Sequence, residues 1–319
     1  MLKKISLVVL GLICLFVFIA TILLLPAHFQ INNINSELPN LAQINQAFEP
    51  LDGVPSTREA LPVDIRYINT ASQESSMGAL SFIGVLIIWP DGKTFLIDTG
   101  MGQEVAEEFG DTMALISSAS PITTYGAIEK QMGSKVNRIK GIGFTHLHSD
   151  HTSGITAICD GMVQPATIYQ TSTQAFEHNL HTRAGQEQVA KSGCSKMNLG
   201  DTLIKSIDGF PGIFALSAGG HTPGSTIFVV KVADMTYYFA GDLTNRMEDI
   251  HLNRAKGWFY SNLIVPESSS RLKQLRIWLK EVDNQNNNTV LVAHDLNAYV
   301  QAEIKPWSNA APRLAISKN

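Results

Sequence analysis

The stretch FTHLHSDHTSG at 144–154 constrains the chain most, because it crowds His146, His148, Asp150 and His151 directly behind an apolar run, IKGIG. Imidazole and carboxylate groups leave water unfavourably unless each finds a partner. Whatever fold buries the run must therefore bring partners to its end. His146 and His148 alternate along the chain, and an extended or turning backbone aims both the same way. Asp150 and His151, just beyond, can swing to the opposite side of one cavity. A single loop can thus serve two metal ions a few Å apart.

Other apolar runs end in the same residue types. GALSFIGVLIIWPDGKTFLIDTGMG reads as two strands joined by a Pro-Asp-Gly turn, the second ending at Asp98. GIFALSAGGH, TIFVVKVADMTYYFAGD and TVLVAHD reach His221, Asp242 and His294. ATIYQT adds a strand. Helical patterns lie around them: PITTYGAIEKQMG, stopping at Gly133; STQAFEHNL, opened by a Ser/Thr cap; and SSSRLKQLRIWLKEV, with Leu272, Leu275, Ile277 and Leu279 among its apolar positions. Alternating strands and helices predict an α/β domain. In such domains functional groups gather at strand ends, so runs ending in His or Asp predict one shared rim.

The N-terminus follows different rules. Lys3 and Lys4 precede an uncharged apolar run from Ile5 to Leu25, long enough as a helix to cross one bilayer core. Its exit, ILLLPAHFQ, lacks the small-x-small pattern of a cleavage site. The reading is a membrane anchor over 1–26, with a removed signal peptide as the alternative. No Lys or Arg follows until Arg58, so the positive-inside rule places the rest in the periplasm or outside the cell, attached to the inner membrane. Residues 27–65 read as an Asn- and Pro-containing tether with at most one short helix, and 66–319 as the domain proper. Cys159 and Cys194 can pair in such a compartment or stay separate buried thiols. A net charge of −4 without basic runs argues against a nucleic-acid partner.

THLHSDHTSG, followed in order by GGHTPGS, FAGD and VAHD, resembles the HxHxDH signature and later motifs of the metallo-β-lactamase superfamily, over roughly Arg66 to His294. The resemblance implies an α/β fold, a four-layer αββα sandwich with its metal centre at one edge of the two sheets. By position it assigns His146, His148 and His221 to a first metal and Asp150, His151 and His294 to a second, with Asp242 bridging them. Asp98 would accept a hydrogen bond from a ligand histidine and fix its tautomer; its plainer reading is a turn residue. Pro223 and Gly224 would fix the turn that aims His221. A donor set without cysteine suits two Zn2+ per chain and also admits iron or manganese. Water shared by two such ions loses its proton near neutral pH. The implied nucleophile is that bridging hydroxide, with Asp150 accepting or relaying a proton.

Details within the family narrow the chemistry. β-Lactamases generally lack the bridging aspartate, and diiron oxygen reductases usually carry Glu at the place of His148. Ribonuclease Z-like members favour Gly at the place of Ser149, and glyoxalase II members add a C-terminal helical domain for which the 25 residues after His294 are too few. The chain thus looks like the lactonase-like members, and the expected reaction is hydrolysis of a lactone, ester or related carbonyl in a small-molecule substrate. Many of those enzymes place a Tyr three residues after the bridging Asp to assist the ring carbonyl. This chain has Asn245 there, which can still donate a hydrogen bond; Tyr260 and Tyr125 are the other candidates. Hydrolysis of β-lactams or phosphodiesters, a mononuclear-iron persulfide-type oxidoreductase, and a tethered binding protein with a structural metal are the alternatives. Segments 102–126 and 178–200 are expected over the site, with His178 and His181 on the surface, and 245–268 is expected to pack mainly as core.

Overall fold

The structure, a computed structural model, describes residues 2–38, 61–75, 78–117, 119–200 and 202–308. Two sheets form among them. The first contains β1 (Asp64–Ser75), β2 (Gly78–Ile88), β3 (Thr94–Ile97), β4 (Thr123–Thr124), β5 (Ile139–Gly143), β6 (Thr167–Gln170) and β7 (Ser195–Asn198). The second contains β8 (Ile204–Ser206), β9 (Ile213–Ser217), β10 (Thr226–Val232), β11 (Met235–Phe239) and β12 (Asn288–Leu291). A last strand, β13 (Lys305–Pro306), returns to the first sheet, whose order is β13-β1-β2-β3-β5-β6-β7 with β4 paired to β1. The second sheet runs β12-β11-β10-β9-β8.

The continuous apolar runs are explained by burial on both faces. In β2, Ile83, Val85 and Ile87 point into a core shared with Phe228, Val230 and Phe239 of the second sheet. Leu86 points the other way, against Ile128, Met132, Ile155 and Ile158 of helices outside the first sheet. In β10, Ile227 and Val229 face Leu272, Leu275, Trp278 and Leu279 of the helix Ser269–Asp283. The result is helix, sheet, sheet, helix, the αββα sandwich. Each of those buried helix side chains contributes roughly 1.5–3 kcal/mol relative to exposure. Ile277, counted among the apolar positions of the pattern, is 37% exposed, and Trp278 is buried at 1%.

Local departures have local causes. The helical stretch expected up to Gly133 splits: Thr123 and Thr124 pair with β1 as β4, only Ile128–Met132 is α-helical, and a 3-10 turn continues over Gly133–Arg138. Thr171 caps the helix Ser172–Phe176 by accepting from the Gln174 backbone N–H, and that helix stops short of Leu180. TIFVVKVADMTYYF is a hairpin, β10–β11, turned at Ala233 with φ 51°. Cys159 and Cys194 form a disulfide across 35 positions with Cα atoms 5.4 Å apart. Cys159→Ser with Cys194→Ser is expected to destabilise the domain by about 2–4 kcal/mol, since the link restricts the unfolded chain. Denaturant midpoints of wild type and variant check this; equal midpoints contradict it.

The N-terminal helix runs unbroken over Leu2–Glu37, through Pro26. Its Val9–Ser36 portion is long and apolar enough to cross a membrane, its most apolar window having a mean hydropathy of 2.9. The part read from composition as tether continues the helix to Glu37 and packs on the domain, with Ala27 and Ile31 buried. The physical reason is a stripe of small and apolar residues that the polar composition of the stretch masks. Residues 39–60 of the expected tether lie outside those described.

Candidate active site

Each candidate side chain sits just past a strand end, and the two sheets converge there. Thr226 donates its backbone N–H to the Thr145 carbonyl at 2.7 Å, and Ser81 of β2 donates to the His294 carbonyl at 3.1 Å. Gly241 holds φ 58°, and a Cβ on it would lie 2.6 Å from the Thr145 side chain. Glycine is what lets Asp242 follow β11 so closely.

The rim brings all seven predicted donors into two adjacent groups. His146, His148 and His221 form one; Asp150, His151, Asp242 and His294 form the other, and within each group the donor atoms lie within 4.8 Å of one another. Asp242 spans them, with Oδ1 3.2 Å from His151 Nε2 and Oδ2 3.0 Å from His294 Nε2 and 3.8 Å from His221 Nε2. His148 Nδ1 lies 3.2 Å from His221 Nε2.

The outer ring nitrogens are held by fixed partners. His151 Nδ1 lies 2.9 Å from Asp98 Oδ2, and Asp98 also accepts from the Thr145 N–H at 2.8 Å and hydroxyl at 2.7 Å. His294 Nδ1 lies 2.9 Å from the Ser81 carbonyl. His221 Nδ1 lies 2.5 Å from Glu267 Oε1. Such partners set the tautomer and turn each Nε2 inward. The inner atoms His146 Nε2, His151 Nε2 and Asp242 Oδ1 are buried without a hydrogen-bond partner. Burial and the neighbouring histidines lower the pKa of His146 and His148, and burial with Lys256 lowers that of His221, leaving lone pairs free. Burial opposes charge on Asp242, but His294, His151 and His146 outweigh it and hold its carboxyl well below the usual range. Buried lone pairs converging on a carboxylate fit a cation, so the residues make a divalent metal site. Asp98→Asn is expected to weaken metal binding about 10–100-fold, as chelator competition would read; unchanged affinity contradicts the role of Asp98.

A cavity of about 320 Å³ opens onto the second group. Leu80, Phe82, Phe109, Met113, Ile264 and Val265 form its apolar wall; Asn245, Tyr260 and His181 are among its polar lining. His181, expected on the surface, reaches the cavity, its ring centroid 6.1 Å from that of His148. His178 does not line it and bonds to the Ala175 carbonyl. Tyr125 is absent from the lining, whereas Tyr260 belongs to it. Two buried groups went unread in the sequence. Glu267 precedes a Ser-rich helix start and resembles an ordinary helix-end acid. Gln174 ties the two ligand loops, donating to the Phe144 and Gly224 carbonyls at 2.8 and 3.0 Å.

A sandwich of this kind with paired His/Asp groups at its rim defines a metallo-hydrolase. The chain belongs to the metallo-beta-lactamase superfamily, whose family model matches residues 82–294. Among solved structures it is similar to a quorum-quenching N-acyl homoserine lactone lactonase at 17% identity, covering 77% of this chain and 98% of that one, TM-score 0.55. It is similar to AiiA of B. thuringiensis with N-decanoyl-L-homoserine bound at the active site, at 16% identity, 77% and 98% coverage and TM-score 0.54. AidC, a dizinc quorum-quenching lactonase, is similar at 15% identity, 74% and 89% coverage and TM-score 0.51. At these identities the likeness is one of fold. Comparison with curated protein sequences finds no significant match.

Proposed function

We propose that the chain is a membrane-anchored dizinc hydrolase of lactones, esters or related carbonyl compounds, working outside the cytoplasm. The observation that carries this reading is the pair of donor groups joined by the Asp242 carboxylate. Nitrogen and oxygen donors without thiolate suit zinc. Bound there, divalent ions supply Lewis acidity toward a carbonyl oxygen and a nucleophile at neutral pH. The chain's own groups do the rest. Burial opposes ionisation of Asp150, but His151 and His294 overcome it and hold its pKa at about 2, so it stands as a carboxylate at neutral pH, a negative donor for a cation. Asn245 lines the cavity, which supports a role for its amide as hydrogen-bond donor to the substrate carbonyl. Burial raises the pKa of Tyr260, which keeps its hydroxyl a neutral donor. The apolar wall takes the hydrocarbon part and excludes water.

The lactonase names among the similar structures agree with a lactone substrate. Lys3 and Lys4 ahead of the apolar helix support an anchor with the domain on the far side. The Cys159–Cys194 disulfide supports an oxidising compartment. The test is a panel of lactone, ester, thioester, phosphodiester and β-lactam substrates with the full chain in detergent. Turnover of a lactone or ester that a chelator abolishes and Zn2+ restores is expected. Turnover confined to phosphodiesters or β-lactams, or turnover indifferent to chelation, overturns the reading.

A further inference from the structure

The N-terminal helix docks on two segments that also build the cavity. His28 Nε2 lies 3.0 Å from the Asn262 carbonyl. Gln30 donates to Glu177 Oε2 at 3.0 Å and to the His178 carbonyl at 3.4 Å. The apolar run ends at Leu25. At about 1.5 Å per residue, His28 and Gln30 lie roughly 5 and 8 Å beyond it along the helix. That distance is the depth of one headgroup layer, about 5–8 Å. Both segments therefore sit at the level where a bilayer crossed by this helix would end.

At that level the segments turn large apolar side chains outward. Trp258 is 72% exposed, Phe259 62% and Leu263 44%, and across the helix Phe176 is 70% and Leu180 52% exposed. Single exposed apolar residues are ordinary, but a rimmed group of them marks a contact surface. Aromatic side chains concentrate at membrane–water interfaces, where ring and headgroup suit each other. Their neighbours in the same segments face the other way: Tyr260, Ile264 and Val265 line the cavity from one segment, and His181 lines it just past the other.

We propose that Phe176, Leu180, Trp258, Phe259 and Leu263 seat on the lipid surface around the N-terminal helix, and that the cavity takes its substrate, an amphiphile with an acyl tail, from the lipid side. The inference rests on the anchor reading above. It follows from continuity, because the face begins within about one helical turn of the apolar run and shares its backbone with the cavity wall. An acyl chain leaving the bilayer would meet Ile264 and Val265 before the polar donors.

The test uses the full chain in vesicles of phosphatidylcholine carrying brominated acyl chains near the ester end, which quench tryptophan emission on contact. Trp89 and Trp278 are buried and Trp307 is partly buried, so Trp258 is the reporter. Wild type should float with the vesicles and be quenched, and Trp258→Phe should float equally with most of the quenching gone. Flotation with the same weak quenching in both chains overturns the seating and assigns the face to a protein contact, such as a second copy. Failure to float overturns the anchor and the seating together. Neither readout needs turnover, so failure of the hydrolase reading is seen separately, in the substrate panel. If turnover is present, Phe259→Asp with Leu263→Asp should raise KM several-fold for a long-chain lactone dissolved in the vesicles, relative to a short-chain one in water. An equal effect on both overturns delivery from the lipid.

Discussion

Asp242→Ala is expected to lower kcat/KM for the chain's lactone or ester substrate by at least about 10³-fold, about 4 kcal/mol of transition-state stabilisation. The carboxylate reaches both donor clusters, 3.2 Å from His151, 3.0 Å from His294 and 3.8 Å from His221. Its loss removes the charge that joins the two clusters and leaves Asp150 as the carboxylate of the second. Metal content should fall in parallel, which separates this outcome from simple misalignment of substrate. Asp242→Asn keeps the shape but not the charge and should lie close to the alanine variant. Full turnover in either variant is incompatible with a carboxylate joining the two groups.

Glu267 carries the second large effect. Its carboxylate is buried and accepts from His221 Nδ1 at 2.5 Å and from the Ser261 hydroxyl at 2.6 Å, with Lys256 Nζ 3.3 Å away. Burial opposes its ionisation, yet Lys256 and the His221 and Ser261 hydrogen bonds hold its pKa at about 2. Glu267→Ala leaves Lys256, itself almost fully enclosed, without its counter-charge. Breaking a buried pair in this way costs about 3–5 kcal/mol, and freeing the His221 ring should weaken metal binding about 10–100-fold. The two effects separate in a double variant. Lys256→Met with Glu267→Gln removes both charges and should recover most of the stability, measured by denaturant midpoint. It should not recover all of the metal affinity, because an amide is a weaker acceptor for His221 than a carboxylate. Complete recovery of both would show that Glu267 serves only Lys256.

The sequence carried much of the site because its logic is local and repeated. An apolar run buried on both faces cannot hold a histidine or aspartate inside, so those residues fall at the ends, as His146, His221, Asp242 and His294 do. The β2–β3 hairpin was legible in Pro-Asp-Gly, and Asp98 in the position just after β3. What pattern reading missed depends on contacts between distant segments. Glu267 lies 46 positions from His221, and nothing in its neighbours distinguishes it from a solvated helix-end acid. His181 belongs to a polar stretch, and only the packing of that segment beside His148 brings it to the cavity. The helix beyond Pro26 was hidden for a similar reason: its polar residues suit a tether, while Ala27 and Ile31 find their partners on the domain. Segment 245–268 divides its roles residue by residue, with Ile250 in the core, Tyr260 and Ile264 at the cavity, and Trp258 outward. Sequence periodicity over so short and irregular a stretch does not resolve that division.

Counting metal in the purified full chain by mass spectrometry decides whether seven side chains hold a hydrolytic centre of two ions. Two zinc ions per chain are expected, falling to one or fewer in Asp242→Ala. A single iron per chain in the wild type would contradict this and favour the oxidoreductase chemistry instead.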